Sequence, residues 1–453
     1  MGSSQAVVRG GVCCLHRWDN LAKVMFAQGQ AERGWLSLMG SFTRDRAHSY
    51  WGRLKVFLTW FSQQRDGIYV CDADVPPRPP KLLITAPYFK PRSGGLEEYA
   101  YQIAKGLQET KGWEVTVVAS GDKDEVRMSG YQGIKVYYLP YRLTLSNTPF
   151  GFGWRGALKR IISTERPDVI VAHGPVPGML DVAVGRAKKR PFVVTYHSGS
   201  MVKGRLIADL LIKCYEKVLL PRALRKARLI ICASRFVQRS EMIAPHFDKT
   251  TVINPSVDTD FFRPRSQRVH GHRIMHVGGL KIGEEYRGLD ISLQVTAELK
   301  KMYPDVHLMV AGNGDKQVHY EAVAEQLGVA SHVKFCGRLG PNELLAVYQS
   351  ANVLITPSRK EAFGMALIEA MACGVPVVAS AAEGIPDVVD DGEVGFLIEP
   401  GDVSGFVAGI SKLFDDPALW MHVSENARRI AVARENTWPR QVERTAKILR
   451  ALI

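Results

Sequence analysis

The sequence predicts two α/β domains in tandem, each with a doubly wound parallel sheet, facing each other across a central cleft. From Lys81 onward, short apolar runs of strand length alternate with longer amphipathic stretches, which is typical of parallel sheets with helices on both faces. The same scheme begins again after about residue 266. Open parallel sheets bind ligands beyond the carboxyl ends of their strands, so the cleft is the expected site.

Length and composition set the limits of this interpretation. The chain has 453 residues, enough for two or three domains with separate cores. It has no apolar run of the roughly 18 residues that a membrane span needs, and no signal-peptide pattern, so we expect a cytoplasmic protein. The seven cysteines form no C-x-x-C or Cys/His cluster, which argues against a disulfide framework and a zinc site. We therefore predict no metal ligands.

Residues 1–79 are interpreted as an N-terminal extension, with disorder as one reading of it. The segment lacks periodicity and ends in the proline-rich linker Val75–Pro80. Trp51–Phe61 is apolar, aromatic and carries two cations, which suits a membrane interface. The alternative is a partly ordered extension without a membrane role.

The first domain is predicted to span residues 80–265. A strand at Lys81–Thr85 leads into a glycine loop and a helix from Glu97 to about Glu109. Further strands are expected at Glu114–Ala119, Lys135–Leu139, Val169–Ala172, Phe192–Tyr196 and Leu229–Cys232.

The second domain is predicted to span residues 266–436. Its strands are expected at Arg273–Val277, His307–Ala311, Val333–Cys336, Val353–Thr356, Val377–Ala379 and Gly395–Ile398. Residues 437–453 form a final helix that we expect to cross back to the first domain.

Charge is distributed unevenly between the two predicted domains. Residues 81–265 carry a net charge of +14 and residues 266–453 a net charge of −4. Within the first domain, Lys203–Arg239 holds ten cations and two acids, interleaved with leucines at helical spacing. A basic amphipathic helix is typical of contact with an anionic membrane surface. The alternative is a core-packed helix with a solvated basic face. No nucleic-acid-binding module is recognisable, so we expect no nucleic-acid partner.

The motif that carries most chemistry is Ser358–Gly374, which follows the strand ending at Thr356. Phe363 and Gly364 open a helix, whose free backbone N–H groups and dipole suit a diphosphate. Glu361 stands at the mouth of that helix and Glu369 two turns further on. Their carboxylates are candidates for sugar and ribose hydroxyls, respectively. The alternative is an amphipathic helix with two solvated glutamates.

This motif resembles the donor site of the retaining glycosyltransferases of family 4, which have the GT-B fold of two Rossmann-like domains. Residues 81–450 resemble that family throughout. Its other landmarks follow in order: Gly94–Glu97, Tyr196–Ser198, Ala233-Ser234, Asn254–Asp258, Val277–Gly279, Arg287-Gly288, Ala311–Gly314 and Gly337–Leu339. The resemblance implies hexosyl transfer from a nucleotide diphosphate-sugar, bound mainly by the second domain, without a tightly bound cofactor or a metal.

The resemblance assigns further roles residue by residue. His197, at the end of a first-domain strand, would contact the transferred sugar and join Glu361 as a catalytic candidate. Gly94 and Gly95 would form a tight loop beside the diphosphate or acceptor, although a plain turn also explains them. Gly337, Arg338 and Leu339 would lie against the nucleotide base.

One departure concerns the two cations that hold the diphosphate in this family. Gly279 stands where the family usually has arginine, and Arg287 stands where it usually has lysine. Arg287 can bind the diphosphate in a bidentate way that lysine cannot. Lys281, in a short insertion, is the candidate for the second cation; alternatively it points into solvent.

The resulting expectation is a hexosyltransferase acting on a lipid-linked or glycan acceptor, in the cytoplasm or at the cytosolic face of a membrane. A nucleotide-sugar epimerase or another GT-B enzyme is one alternative. A non-catalytic binding protein on a transferase-like fold is another, with Gly279 in its favour.

Overall fold

The computed structural model describes residues 78–92, 94–121, 125–145, 148–202, 206–266, 271–433 and 437–453. These residues form two α/β domains built on separate sheets, so the predicted fold class is confirmed. The predicted extension, including Trp51–Phe61, lies outside the described residues except for its last two positions. None of the helices described is long and apolar enough to cross a bilayer.

The first domain is built on an eight-stranded sheet with the order β10-β9-β8-β7-β1-β2-β4-β3. Its strands are β1 (Lys81–Thr85), β2 (Glu114–Gly121), β3 (Arg127–Tyr131), β4 (Ile134–Pro140), β7 (Val169–Gly174), β8 (Phe192–Tyr196), β9 (Leu229–Cys232) and β10 (Thr250–Val252). Alternate residues of β1 enter different cores: Leu82 and Ile84 lie on one face and Leu83 on the other. Helices cover both faces, which explains the nearly continuous apolar runs.

The helices of the first domain follow from spacing and capping. They are α1 (Gly95–Lys111), α2 (Trp154–Glu165), α3 (Met179–Arg186), α4 (Leu206–Val218), α5 (Leu220–Lys226) and α6 (Arg235–Arg239), with a 3₁₀ turn at Ala244–Lys249. In α1, Tyr99, Ile103 and Leu107 recur every four residues and are buried. Gly112, with φ 66°, ends the helix in the left-handed conformation that glycine adopts without strain.

The second domain is built on a six-stranded, fully parallel sheet with the order β13-β12-β11-β14-β15-β16. Its strands are β11 (Arg273–Val277), β12 (His307–Ala311), β13 (Val333–Gly337), β14 (Val353–Thr356), β15 (Val377–Ser380) and β16 (Gly395–Ile398). Counted within this sheet, the order is 3-2-1-4-5-6, the order of dinucleotide-binding sheets. The chain therefore reverses its winding between β11 and β14, where a crevice opens.

The helices of the second domain lie on both faces of this sheet. They are α7 (Leu289–Lys300), α8 (Gln317–Gln326), α9 (Pro341–Ser350), α10 (Met365–Ala372), α11 (Val403–Asp415) and α12 (Pro417–Ala433). Short 3₁₀ turns occur at Glu285–Arg287, Ala330–His332 and Ile385–Asp387.

The last helix, α13 (Trp438–Arg450), packs against α1 of the first domain. Trp438, Val442 and Leu449 are buried in the same core as Tyr99 and Leu107. The domain boundaries given above stay predictions, because residues 267–270 and 434–436 lie outside the described part of the chain.

Three structural features were not predicted from the sequence. β3 pairs antiparallel with β4 at one edge of the first sheet. A small hairpin, β5 (Leu143–Leu145) and β6 (Thr148–Phe150), follows β4. β10 extends the other edge. These are short or largely exposed strands, so they lack the buried apolar run that predicted the others.

Candidate active site

The crevice of the second domain is lined by the loops that follow β11 and β14. These loops are in close contact because glycines stand where they meet. Gly288 has φ 76°, and a Cβ there would collide with the carbonyl oxygen of Pro357. A Cβ on Gly312, at the end of β12, would likewise collide with the carbonyl of Gly278. The backbone thus brings the segments around Arg287 and Glu361 together at the carboxyl edge.

Arg287 and Glu361 form an ion pair across this crevice. The Nη1 of Arg287 lies 3.5 Å from Oε2 of Glu361, and both side chains are partly buried. Burial alone would lower the pKa of Arg287, but Tyr286, Glu361 and Glu284 outweigh it and raise that pKa. The guanidinium is therefore a fixed positive charge at the crevice.

The position of the missing arginine is covered by a carboxylate. A Cβ on Gly279 would collide with the side-chain oxygens of Glu284, which lie over the glycine. Lys281 is partly buried, and its charge reaches Glu97 of the first domain. Burial raises the pKa of Glu97, while Arg92, Lys90 and Lys281 oppose that rise. Lys281 is therefore near enough to the first domain for its charge to act on Glu97.

Phe363 and Gly364 immediately precede α10. Gly364 has φ 90°, and α10 begins at Met365. The Phe363 side chain is buried in the core, so only its backbone faces the crevice; its N–H donates to Oε1 of Glu361 over 3.5 Å. Glu361 lies in the loop before the helix, not on the helix itself. The amides at the start of α10 thus lie beside the Arg287–Glu361 pair.

Glu369 lies on α10 and is held by a tyrosine from α9. The hydroxyl of Tyr348 donates to Oε2 of Glu369 over 2.9 Å. Burial raises the pKa of Glu369 to about 7; the hydrogen bond from Tyr348 opposes this shift, and Glu98 of the first domain adds to it. A carboxylate with such a pKa gains from further hydrogen-bond donors, for example ribose hydroxyls.

Gly337 is the last residue of the edge strand β13, and Arg338 and Leu339 follow it. Gly337 has φ 67°. Leu339 packs against the core beneath α10, whereas Arg338 continues the loop. This segment borders the crevice on the side away from β14.

In the first domain, Gly94 is the N-cap of α1 and Gly95 is its first residue, at the carboxyl edge of β1. A Cβ on Gly95 would lie 3.4 Å from Cγ of Met365, the first residue of α10. The glycine loop of one domain therefore lies against the helix start of the other. The sequence-predicted residues of the two domains meet at this point.

His197 follows β8 and contacts a second histidine. Its Nε2 lies 2.8 Å from Nδ1 of His173, and the two rings stack with centroids 5.0 Å apart. The edge of Tyr99 completes this cluster, 5.0 Å from the His197 ring. Burial lowers the pKa of His197 to about 4 and lowers the pKa of His173 as well. Both imidazoles are therefore neutral near pH 7.

Hydrogen bonds join the two domains beside Glu361. Ser234 Oγ donates to the carbonyl of Ala362 over 2.6 Å, and the N–H of Phe236 donates to Asp387 over 2.6 Å. The Nζ of Lys360 reaches the carbonyl of Val202 over 2.7 Å. The loop that carries Glu361 is thus anchored to the first domain on both sides.

Two family models match successive parts of this chain. Residues 93–261 match the family description "Glycosyltransferase Family 4", and residues 277–430 match "Glycosyl transferases group 1". The two matches together cover most of both domains. The chain belongs to glycosyltransferase family 4.

Relatives of this family 4 glycosyltransferase include eukaryotic and bacterial proteins. A human phosphatidylinositol N-acetylglucosaminyltransferase chain is 28% identical over 84% of this chain and 77% of its own length. The phosphatidyl-myo-inositol mannosyltransferase of Mycolicibacterium smegmatis is 27% identical over 75% of this chain and 86% of its own. Among solved structures, Anabaena HepE in complex with UDP and glucose superposes with a TM-score of 0.66 at 21% identity, covering 82% of this chain and 99% of that one. That likeness confirms the GT-B fold.

Several residues of the candidate site were not predicted from the sequence. His173 is the penultimate residue of β7, the strand next to β8. Because adjacent parallel strands end at the same edge of a sheet, the sequence could have predicted that His173 lies near His197. Nothing in the sequence predicts the roles of Tyr348 and Glu284, because their contacts depend on how α9 and the inserted loop fold. His276 reads as part of an apolar strand.

Proposed function

We propose that this glycosyltransferase transfers a hexose from a nucleotide diphosphate-sugar, with retention of anomeric configuration and without a metal ion, to a lipid-linked or glycan acceptor. The observation that carries the proposal is the meeting of Arg287, Glu361 and the start of α10 at the crevice of the second sheet, opposite Gly95. The solved relatives that contain UDP or UDP-glucose support a nucleotide-sugar donor.

The diphosphate would be bound by the guanidinium of Arg287 and the backbone amides at Phe363–Met365. As the bond to the sugar breaks, negative charge grows on the leaving diphosphate. A fixed cation and oriented amides in a half-buried crevice stabilise that charge in the transition state. In the proposed reaction these groups, rather than a metal ion, stabilise the growing negative charge of the diphosphate.

Glu361 and His197 would position the sugar. Glu361 is held by Arg287, so its second oxygen can accept from a sugar hydroxyl. His197 is neutral and bonded to His173, and it offers a hydrogen bond to the sugar without adding charge. Retention would follow from front-face attack, with the leaving phosphate taking the acceptor proton.

The first domain offers a surface for a lipid-linked acceptor. On α4, Leu210 and Leu211 are 63% and 52% exposed, and Lys213 and Lys217 are exposed on the same helix. At an anionic lipid surface the exposed leucines can leave water and the neighbouring cations can pair with lipid headgroups. Lys203 and Arg205 of the predicted basic segment lie outside the described residues. The names of the relatives, which include phosphatidylinositol transferases, support a lipid acceptor.

The proposal is tested by thermal shift with UDP-glucose, UDP-N-acetylglucosamine and GDP-mannose, followed by transfer assays on vesicles containing phosphatidylinositol. A donor at 100 times its Kd should stabilise the fold by about 2.7 kcal/mol. NMR of the product gives the anomeric configuration, and EDTA tests the metal requirement. Inversion, or loss of turnover in EDTA, would contradict the corresponding part of the proposal.

Arg287→Ala should weaken binding of the nucleoside diphosphate by about 2–5 kcal/mol, because the diphosphate loses a charged partner in a half-buried crevice. Isothermal titration with UDP, GDP and ADP measures this change. Arg429→Ala, which removes an exposed cation on α12, is the matched control and should bind as wild type does. Normal binding by Arg287→Ala would show that the diphosphate lies elsewhere.

A further inference from the structure

The central strand of the second sheet carries a buried histidine at its carboxyl end. His276 is the fourth residue of β11 and is 2% exposed. Its Nδ1 lies 2.9 Å from Oγ of Ser292 on α7. Its Nε2 is also buried but has no hydrogen-bond partner among the residues that the structure describes. A buried polar atom without a hydrogen bond lowers the stability of the fold, so its presence in a central strand needs an explanation.

A second unsatisfied atom lies beside it. The Nε of Arg287 is buried and has no partner among the described residues either. Both groups border Gly278: a Cβ there would lie 2.9 Å from Cδ of Arg287 and 3.2 Å from Nε2 of His276. The absent side chain of Gly278 therefore lets the imidazole approach the stem of the arginine. One unsatisfied atom is a donor and the other can be an acceptor.

The charge of Arg287 decides which form of the imidazole is present. Burial, followed by the charge of Arg287, lowers the pKa of His276 to about 3, so the ring is neutral. A nearby guanidinium favours a lone pair on Nε2 rather than a hydrogen. The single N–H then lies on Nδ1 and donates to Ser292. His276 thus presents a neutral acceptor to the arginine.

The two unsatisfied atoms are neighbours but do not form a hydrogen bond with each other in the structure. We propose that His276 is a positioning residue for Arg287: when the donor diphosphate binds, Nε2 of His276 accepts a hydrogen bond from the guanidinium Nε–H, which aims the two Nη groups at the diphosphate. The inference rests on the proposed function, in which Arg287 binds that diphosphate. A neutral acceptor orients the guanidinium without reducing its charge, unlike the carboxylate of Glu361. Orientation matters more in this chain because Gly279 supplies no second cation.

Two amide substitutions separate the two nitrogens of the ring. The side-chain oxygen of His276→Gln can stand near Nε2, whereas His276→Asn reaches only the position of Nδ1 and keeps the contact with Ser292. Titration with UDP, GDP and ADP measures binding by the whole chain. We expect His276→Asn to weaken binding about tenfold, the usual scale for a hydrogen bond to a charged group. His276→Gln should bind within about threefold of wild type on the same reasoning. Equal affinity of the two variants would overturn the proposal.

The effect must also act through Arg287. Adding His276→Asn to Arg287→Ala should cause no further loss of affinity, because the group that His276 positions is already absent. A further loss of about tenfold in that background would assign His276 a merely structural role and overturn the proposal. Thermal melting of each variant identifies any that fail to fold. If His276→Asn does not fold, His276→Gln is compared with wild type, and a loss of affinity of about tenfold in His276→Gln would overturn the proposal. If Arg287→Ala itself binds normally, the proposed diphosphate site has failed rather than the role of His276.

Discussion

At the scale of single residues, Glu361 and Glu369 differ in what surrounds them. Glu361 is paired with Arg287 in a loop, whereas Glu369 lies on α10 against Tyr348. Glu369→Ala should therefore weaken binding of the nucleoside diphosphate, because the ribose loses its acceptor. Glu361→Ala should leave that binding nearly intact and lower turnover. Titration and a transfer assay measure the two effects; equal nucleotide affinity in wild type and Glu369→Ala would contradict the ribose assignment.

The raised pKa of Glu369 also predicts a pH dependence of stability. In the unfolded chain the carboxyl ionises near its ordinary pKa of 4.5, and in the folded chain near 7. The folded state therefore holds the proton more tightly, and ionisation costs stability as the pH rises from 4.5 through 7. Glu369→Gln, which cannot ionise, should be more stable than wild type at pH 8, by about 1–2 kcal/mol after allowance for partial exposure.

Urea unfolding at pH 5, 6, 7 and 8 measures this difference, which should shrink steadily toward pH 5. Glu325→Gln, an exposed site on α8, is the control and should show no such trend. A constant difference at all four pH values would mean that Glu369 stays ionised in the folded protein.

The sequence predicts the position of residues that follow the end of a strand or lie at the start of a helix. Glu361, Gly364 and His197 are of this kind, since a loop after a parallel strand must lie at the carboxyl edge. Glu284 and His276 are not. Glu284 covers Gly279 only because of the path that the inserted loop takes. His276 lies within an apolar strand sequence, and only the fold brings it next to Arg287.

At the scale of secondary-structure elements, buried strands were the most predictable part of the fold. The bounds of β1, β8, β11, β12, β14 and β16 match the sequence predictions to the residue. A strand buried on both faces is apolar over most of its length, and it ends where polar loop residues begin. Edge strands such as β3 obey neither condition, so their sequences do not distinguish them from loops.

The packing of α13 on α1 gives a prediction about one glycine. A Cβ on Gly106 would press against the side chain of Val442, which is β-branched and therefore stiff in a helix. Gly106→Ala should lower the free energy of unfolding by about 1–3 kcal/mol through overpacking. Gly156→Ala on α2, where a Cβ meets no described atom within 4 Å, should instead raise it by about 0.4–1 kcal/mol. Urea unfolding measures the free energy of unfolding of both variants. If Gly106→Ala is more stable than wild type, α13 can shift to make room for the added methyl group.

At the scale of the whole molecule, the charge asymmetry predicts how the protein would meet a membrane. The first domain region carries net +14 and the second net −4, so an anionic surface attracts only one side. Replacing Lys213 and Lys217 by glutamate should weaken binding to anionic vesicles at least about tenfold, at about 1 kcal/mol for each cation removed. Salt should weaken the wild type similarly, since the screening length falls to about 3 Å at 1 M.

Vesicle co-sedimentation of the full chain measures this binding on neutral and anionic lipids. Replacing Lys301 and Lys334, exposed cations of the second domain, by glutamate makes the same change in net charge. That control should sediment as wild type does. Equal binding to neutral and anionic vesicles would contradict the membrane proposal, and so would an equal loss of binding in the Lys213/Lys217 and Lys301/Lys334 variants. Either result would favour an acceptor that is not in a membrane.

The return of α13 to the first domain has a consequence for recombining this protein with its relatives. A chimera that exchanges everything beyond residue 266 would also exchange the helix that covers α1, and with it Trp438, whose ring lies 5.8 Å from that of Tyr99 in the His197 cluster. An exchange of the second domain alone therefore needs two crossover points, one on each side of that domain. A single crossover would place a foreign helix on α1 of the first domain.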